Sequence, residues 1–342
     1  MLKCSGNIWT VPGFIDLQVN GFAGVDYNAP GVPAEEIARS IRVMFSTGVT
    51  RFFPTVITGS PERMLSALRN LSAARESFPE GLAMTAFHVE GPHISPDDGP
   101  RGAHPVEWVR PPDVDEFHRF QEAARGHIRL VTLSPEWPEA PRYIETLVRD
   151  GVVISIGHTR ADSQQIRDAV CAGATLSTHL GNGAHPTLPK TANYIWDQLA
   201  EERLSASFIV DGIHLPDAFL CTALRAKGVE RSVLVTDAVM PAMCEPGFYK
   251  LGEVDVELKA DRRVVLTGSH RLAGSSLRMD QAIENAMRIA GMSVEDAVAM
   301  ATVNPARVGR VSQHDDEVKF IFEGGQIQII ETHFDGRLVF PA

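Results

Sequence analysis

Five side chains that can bind a metal ion or transfer a proton follow short apolar runs of the sequence. They are Glu90, His158, His179, His214 and Asp237. The runs lack clean polar alternation, which is typical of strands buried on both faces of a parallel sheet. Imidazole and carboxylate groups are common zinc ligands and common general acids and bases. If these strands close into one barrel, their carboxyl ends bring the five side chains into one mouth.

Glu90, His158 and His179 form a set of two histidines and one carboxylate. Such a set is typical of an open catalytic zinc site, whose fourth position is left to water. Iron(II) and cobalt(II) suit the same ligands, and the sequence does not choose among the three metals. A bound divalent ion lowers the pKa of its water from near 16 to about 7, which supplies a hydroxide nucleophile at neutral pH. We therefore expect one divalent metal ion per chain, with zinc as the first candidate.

Asp237 is the candidate for the group that takes a proton from the attacking water and gives it to a leaving amine. His214 could polarise the carbonyl oxygen of a substrate or bind a substrate anion. Taken alone, a histidine at a strand end is more often a hydrogen-bonded structural group, and Asp237 could simply cap a turn. The catalytic interpretation depends on their joint placement after several different strands.

The strands that must position these groups are predicted from eight apolar runs, each followed by a helix-like segment. Several of these segments start with Pro or Asp and end at Gly, as helices do. The pattern predicts a closed (β/α)₈ barrel. An open doubly wound sheet is the alternative, but "VNGFAG" lacks the G-x-G-x-x-G order expected there. The predicted strands are Phe14–Val19, Arg51–Val56, Met84–Val89, Ile128–Leu133, Val152–Ile156, Ala174–His179, Ala206–Val210 and Ser232–Thr236.

Two further segments lie outside the alternating pattern. Residues 248–268 alternate like a β-hairpin inserted after the eighth strand, with its turn at Ala260–Asp261. The carboxyl-terminal residues 311–342 are predicted to form two or three strands that pair with the first ten residues in a small sheet. We therefore predict a catalytic barrel over residues 11–310 and a small β domain from residues 1–10 and 311–342.

Composition narrows the classes of function. The chain has 342 residues and a formal net charge of −11, and it contains no run of Lys and Arg, which argues against nucleic acid as a partner. The cysteines form no C-x-x-C pair that would suggest a disulfide framework or a zinc knuckle. No apolar window reaches signal-peptide length at the amino terminus or membrane-span length elsewhere. We expect a soluble, cytoplasmic protein. The cysteines are Cys4, Cys171, Cys221 and Cys244.

The motifs resemble the amidohydrolase superfamily and, within it, the N-acetylglucosamine-6-phosphate deacetylase family. The matching pieces include "VPGFIDLQVNG", "FHVEGPHI", "VISIGHT", "STHLGNGA", "LVTDA", "LAGSSLRM" and "ATVNPAR", in family order over residues 11–309. The resemblance implies a distorted barrel with a small β-sandwich. It implies one metal on Glu90, His158 and His179, with Asp237 as general acid and base. It also implies removal of the acetyl group from an N-acetyl amino sugar phosphate by a homodimer.

The resemblance also implies a set of substrate contacts. They are Asn182, the Gly183 N–H, Lys190, His214, Leu272 and Ala273.

The chain departs from the family at several points. Lys190 stands where the family has a phosphate-binding arginine, and Gly181 and Gly183 loosen a pocket wall. Gln18 and Asn20 stand where many superfamily members have metal-binding histidines, so the first metal position is expected to be empty. Only about ten residues precede "VPGFID", so the sandwich must be reduced.

Several alternatives stay open at this level. The substrate could be an unphosphorylated N-acetyl sugar, another N-acyl compound or a cyclic amide. A catalytically silent binding protein on the same scaffold is the alternative of a different class. His93, Arg101 and His104 lie in a loop after Glu90, and the sequence gives them no definite role.

Overall fold

The structure is a computed structural model that describes residues 2–252, 254–312 and 314–341. Within these ranges the strands are β1 (Lys3–Ser5), β2 (Ile8–Pro12), β3 (Phe14–Val19), β4 (Gly21–Phe22), β5 (Val25–Asp26), β6 (Val49–Ile57), β7 (Phe87–Glu90), β8 (Ile128–Leu133), β9 (Val153–Ile156), β10 (Leu176–Ser177), β11 (Ser205–Ile209), β12 (Ser232–Val235), β13 (Gly247–Leu251), β14 (Val254–Leu258), β15 (Val264–Leu266), β16 (Glu317–Glu323), β17 (Gln326–Phe334) and β18 (Arg337–Phe340). The α-helices are α1 (Ala34–Phe45), α2 (Pro61–Ser77), α3 (Val114–Ala123), α4 (Ala140–Arg149), α5 (Ser163–Ala172), α6 (Tyr194–Ala200), α7 (Asp217–Lys227), α8 (Met279–Ala290), α9 (Val294–Ala301) and α10 (Val303–Val308).

Eight parallel strands form the barrel, in the order β12, β11, β10, β9, β8, β7, β6 and β3. The first and last strands of this order meet where the Asp237 N–H donates to the Gln18 carbonyl at 3.0 Å and a bridge joins Val19 to Ala238. Buried Asp16 strengthens the junction, because it accepts hydrogen bonds from both the N–H and the hydroxyl of Thr236. The predicted barrel is confirmed, and the open doubly wound sheet is excluded.

The helices form as the sequence patterns predict. On α4, Ala140, Tyr143, Ile144 and Leu147 are buried at the spacing of one helical face, which packs against the sheet. Asp162 caps the amino terminus of α5 by accepting hydrogen bonds from two backbone N–H groups. None of the helices in the described part of the chain combines the length and the apolar character that a membrane span requires.

The sixth barrel strand is much shorter than predicted. The sequence predicts Ala174–His179, whereas β10 contains only Leu176 and Ser177. The chain leaves the sheet because His179 has a φ of 27°, outside the extended region. Two predicted strands, Phe14–Val19 and Ile128–Leu133, coincide with β3 and β8, and the other five shift by one to three residues at their ends.

The termini build a five-stranded antiparallel sheet in the order β1, β2, β16, β17 and β18. An ion cluster around the buried Arg51 side chain ties this sheet to the barrel. Arg51 on β6 donates to both oxygens of Asp316, at 2.6 and 3.0 Å, and also pairs with Asp335. Its guanidinium carbon lies 4.3 Å from the ring centroid of Phe334. The predicted boundaries at residues 10/11 and 310/311 stay predictions.

Replacing Arg51 by methionine is expected to destabilise the fold by about 3–5 kcal/mol, because the buried Asp316 carboxylate would lose its cation. Chemical denaturation followed by circular dichroism would measure the loss. The matched control is Arg42→Met, which removes a half-exposed pair with Glu80 and should cost no more than about 1 kcal/mol. Equal losses in the two variants would contradict the role given to the cluster.

The segment predicted as a hairpin over residues 248–268 is a three-stranded sheet of β13, β14 and β15. The predicted turn near Ala260–Asp261 joins β14 to β15, where the Lys259 N–H donates to the Arg263 carbonyl. Gly252, with a φ of 58°, allows a second turn that adds β13. Val256, Leu258 and Val264 of this insertion sheet pack with Val239 and Ala273, so it covers one side of the barrel mouth.

Candidate active site

Three of the predicted ligand atoms converge at the mouth of the barrel. Glu90 Oε1 lies 2.9 Å from His179 Nε2 and 3.2 Å from His158 Nε2. The two Nε2 atoms are themselves 3.2 Å apart. All three residues are buried; Glu90 ends its barrel strand, and His158 and His179 each come two residues after theirs. The arrangement brings a carboxylate and two imidazoles from three strands to one point.

The backbone at these strand ends is unusual. His158, His179 and Asp237 have positive φ angles of 50°, 27° and 48°. Non-glycine residues rarely adopt this region, and such residues concentrate at functional sites. The positive φ ends the extended conformation of each strand at this point, and the side chain lies in the barrel mouth. No glycine or proline marks these three positions, so sequence reasoning had no signal for the strained turns.

The spacing of these ligand atoms suits a bound cation. His158 Nδ1 donates to the Pro100 carbonyl at 2.7 Å, which directs Nε2 of the same ring toward the centre. Nε2 lies 3.2 Å from Glu90 Oε1. A proton or a metal ion between these two atoms satisfies both of them. Ligand atoms 2.0–2.1 Å from a tetrahedral zinc lie about 3.3 Å apart, close to the spacing of these three atoms.

The charges of Glu90 and His179 agree with a cation bound at this point. Burial alone would raise the pKa of Glu90, but hydrogen bonds and charge attraction from His158 and His179 outweigh it and hold the pKa well below its usual value. Burial opposes the charged form of His179, yet contact with Glu90 raises the pKa of this imidazole. Glu90 thus stays ionised and draws positive charge toward itself.

Asp237 faces the same centre and is held by two amides. Asn20 Nδ2 donates to Asp237 Oδ1 at 2.6 Å, and Gln18 Nε2 donates to Asp237 Oδ1 at 3.2 Å and to Glu90 Oε1 at 3.0 Å. Burial, followed by repulsion from Glu90, raises the pKa of Asp237 to about 6. Gln18 and Asn20, predicted only as replacements for metal-binding histidines, therefore orient both carboxylates.

His214 lines the same cavity and has a carboxylate partner. Its Nδ1 lies 2.6 Å from Asp211 Oδ2. Burial would raise the pKa of Asp211, but contact with His214 outweighs burial and lowers it. An ionised Asp211 orients the His214 imidazole through Nδ1, so Nε2 is the ring nitrogen of His214 that faces away from Asp211.

His104 is the residue that sequence reasoning left without a role. It is buried in the loop after β7, and its Nδ1 lies 2.8 Å from the Thr58 hydroxyl. Burial, followed by repulsion from His158, lowers its pKa to about 3, so the ring is neutral. Ligand atoms of Glu90, His104 and His158 lie within 4.8 Å of one another, a group that could hold a metal ion. The loop position of this histidine gave no sequence signal for that contact.

The two other loop residues without a role lie away from the centre. Arg101 donates to the His104 carbonyl at 2.8 Å and so holds the loop in place. His93 is buried against the Tyr143 ring, and its Nδ1 lies 3.2 Å from the Arg110 carbonyl. Neither is among the described residues that line the cavity.

A cavity of about 520 Å³ opens onto the centre, a size that suits a small molecule. It is lined by the candidate ligands, by Asp237 and by most of the predicted substrate contacts. Lys190 is exposed and does not line it, so the structure gives no support within this chain to the predicted Lys190–phosphate contact. The predicted contacts that line the cavity are Asn182, Gly183, His214, Leu272 and Ala273.

Gly183 lies directly against His158. A Cβ built at this position would be 2.6 Å from His158 Nδ1, and the residue has a φ of 55°. A side chain here would displace either the imidazole or the loop. Gly183, which was expected to loosen a pocket wall, is therefore also required for the position of His158.

Comparison with known proteins gives a consistent result. The amidohydrolase family model matches residues 9–314. The chain is 33% identical to N-acetylglucosamine-6-phosphate deacetylase of Bacillus subtilis (strain 168), over 87% of this chain and 74% of the relative. It is 32% identical to the enzyme of that name from Homo sapiens, over 99% of this chain and 85% of the relative.

Solved structures agree with the sequence comparison. A mutant of N-acetyl-D-glucosamine-6-phosphate deacetylase from Mycobacterium smegmatis, in complex with N-acetyl-D-glucosamine-6-phosphate, is similar with a TM-score of 0.87 and 29% identity. The match covers 96% of this chain and 86% of that one. The deacetylase of Thermotoga maritima has a TM-score of 0.85 at 24% identity, which supports the fold alone.

Proposed function

Because this chain belongs to the amidohydrolase family and, within it, to the N-acetylglucosamine-6-phosphate deacetylases, we propose that it removes the acetyl group from N-acetylglucosamine 6-phosphate. The products are acetate and the free amine of the sugar phosphate. The observation that carries the proposal is the convergence of Glu90, His158 and His179 near Asp237 in one cavity.

The proposed ligands of a divalent metal ion are Glu90, His158 and His179. We prefer this set to the one with His104 because its atoms lie 2.9–3.2 Å apart, closer to the spacing around a tetrahedral ion. When bound, such an ion supplies a Lewis acid that activates water and the acetyl carbonyl for hydrolysis. Zinc is the first candidate, and iron(II) and cobalt(II) suit the same donors.

The side chains around the centre move protons and bind charge. Asp237 is proposed to take the proton of the attacking water at Oδ2, because the Gln18 and Asn20 amides already bond Oδ1. It then gives this proton to the amide nitrogen as the C–N bond breaks. His214 is proposed to interact with developing negative charge or with the phosphate through Nε2, since Asp211 holds its Nδ1.

The far side of the cavity is the proposed binding site for the sugar and its phosphate. Asn182 and the Gly183 N–H lie on the loop after β10, and His214 follows β11. Leu272 and Ala273 line the cavity from the segment before α8. Lys190 would have to reach the phosphate from its exposed loop. The zinc, homodimer and cytoplasmic predictions stay predictions.

Acetate release from N-acetylglucosamine 6-phosphate and from free N-acetylglucosamine tests the proposal. The phosphorylated sugar is expected to react at least about tenfold faster in kcat/KM, because a charge-assisted hydrogen bond contributes about 1.5–3 kcal/mol. A chelator should abolish both rates. Equal rates on the two sugars would contradict the phosphate site, and no acetate release from either would contradict the deacetylase assignment.

A further inference from the structure

The cavity continues beside the candidate metal centre into a second region, which we call the acyl lobe. The lobe lies between the carboxyl end of β6, the start of α2, the loop after β7 and the insertion sheet. Apolar side chains from each of these elements line it. The side chains that define it are Val56, Met64, Ala67, Trp108, Leu251 and Val254.

One wall of the acyl lobe is rigid and lies next to the candidate metal ligands. Val56 pairs with Val89 in the sheet, so it stands one residue before the position opposite Glu90. Met64 and Ala67 are three residues apart on α2, so they share one helical face, and both are buried. This wall is built from a strand and a helix, which hold it in place.

The opposite wall comes from the insertion sheet. Leu251 and Val254 are partners in the antiparallel register of β13 and β14, at the turn of that hairpin. The sheet is anchored to the barrel because the Gly252 N–H donates to Asp26 Oδ2 at 2.8 Å. Apolar residues therefore line the acyl lobe on two sides, and a single acetyl methyl group could contact them only in small part.

The geometry of an amide decides which part of the substrate enters the lobe. A secondary amide is planar and trans, so the acyl carbon chain and the sugar carbon lie on opposite sides of the C–N bond. With the carbonyl carbon at the Glu90 centre and the sugar directed to Asn182 and His214 after β10 and β11, the acyl chain points the other way. That direction is toward the ends of β6 and β7, where the acyl lobe lies.

We propose that this site hydrolyses N-acyl groups longer than acetyl, namely N-propionyl and N-butyryl glucosamine 6-phosphate, with the acyl chain in the acyl lobe. This inference rests on the proposed function. Water cleaves the same C–N bond, and the products are the amine and propionate or butyrate. Burying one methylene contributes about fourfold in binding, so kcat/KM is expected to rise about fourfold with each added methylene.

The charged residues of the lobe limit the length of the chain. Asp26 and Arg63 line the cavity near Gly252, and Glu107 lines it near Trp108. An acyl chain that extended to these groups would lower their hydration without replacing their polar contacts. The lobe is thus suited to short unbranched acyl groups rather than to fatty acyl chains.

The test measures release of sugar amine from the N-acetyl, N-propionyl and N-butyryl 6-phosphates by the metal-loaded full chain. The narrowing variant is Ala67→Leu, which should lower the butyryl-to-acetyl ratio of kcat/KM about tenfold by filling the lobe. Its control is Ala73→Leu, on the exposed face of the same helix, which should leave the ratio unchanged. If Ala67→Leu does not fold, Val254→Trp narrows the lobe from the other wall, with Asp255→Trp as its control.

The outcomes separate this inference from the function on which it rests. Turnover of the acetyl compound with a butyryl rate more than tenfold lower overturns the inference and leaves the proposed function intact. No turnover of any of the three compounds contradicts both. If Ala67→Leu lowers the rate on a 1-O-alkyl glycoside of the acetyl compound and leaves the butyryl-to-acetyl ratio unchanged, the lobe receives the C1 substituent, and the inference is overturned.

Discussion

Replacing Asp237 by asparagine is expected to lower kcat for N-acetylglucosamine 6-phosphate about 10³-fold, with the affinity for the sugar phosphate changed little. An amide cannot take the proton of water or return it to the leaving nitrogen, and a positioned acid or base contributes about 10²–10⁴-fold. The shape of the site should persist, because the amide oxygen of the new residue can still accept from Gln18 and Asn20.

Acetate release and calorimetric titration of the substrate would measure the two quantities separately. The bound metal should stay near one ion per chain, because Asp237 is not among the proposed ligands. Asp280→Asn is the control, since Asp280 is a buried carboxylate that pairs with Arg278 and does not line the cavity. If Asp237→Asn keeps a tenth or more of the parental kcat, another group performs the proton transfer.

Replacing Glu90 by glutamine is expected to remove the bound metal and, with it, about 10³-fold or more of the activity. Glu90 supplies the negative charge of the proposed ligand set, and both imidazoles lie against its Oε1 atom. A neutral amide oxygen is a poor ligand for a zinc-type ion, and a lost Lewis acid costs several kcal/mol of transition-state stabilisation. Metal content by mass spectrometry and acetate release would be measured on the same preparation.

His104→Asn is the matched comparison, because it removes the buried imidazole next to the proposed ligands. We expect it to keep about one ion per chain, since Glu90, His158 and His179 already make a complete three-ligand set. Loss of the ion from His104→Asn with retention by His179→Asn would show that the ligands are Glu90, His104 and His158 instead. That result would also move His179 from the ligand set to a supporting position.

The sequence predicted the barrel because the features that specify it are local. Buried parallel strands appear as apolar runs, and helix ends appear as Pro, Asp and Gly. The same locality explains why Glu90, His158, His179 and Asp237 could be chosen. Each lies within two residues of the end of its own strand, and the fold rule for barrels places all strand ends at one mouth. The cavity contains all four.

The supporting contacts could not be predicted because they join distant parts of the chain. Gln18 and Asp237 are 219 residues apart in sequence, yet their side chains are 3.2 Å apart. His104 reaches the centre only because its loop folds back and Arg101 holds its carbonyl. Lys190 matched the family pattern by position, but its loop carries it to the surface.

The sequence by itself thus determined the order of strands and helices, the chemical types at the barrel mouth and the family. Only the tertiary structure decided which histidines lie next to Glu90, how the two carboxylates share the Gln18 amide and where the acyl lobe lies. The physical reason is that burial and backbone preference act over a few residues. Hydrogen bonds, charge repulsion and cavity walls depend on which distant parts of the chain the fold brings together.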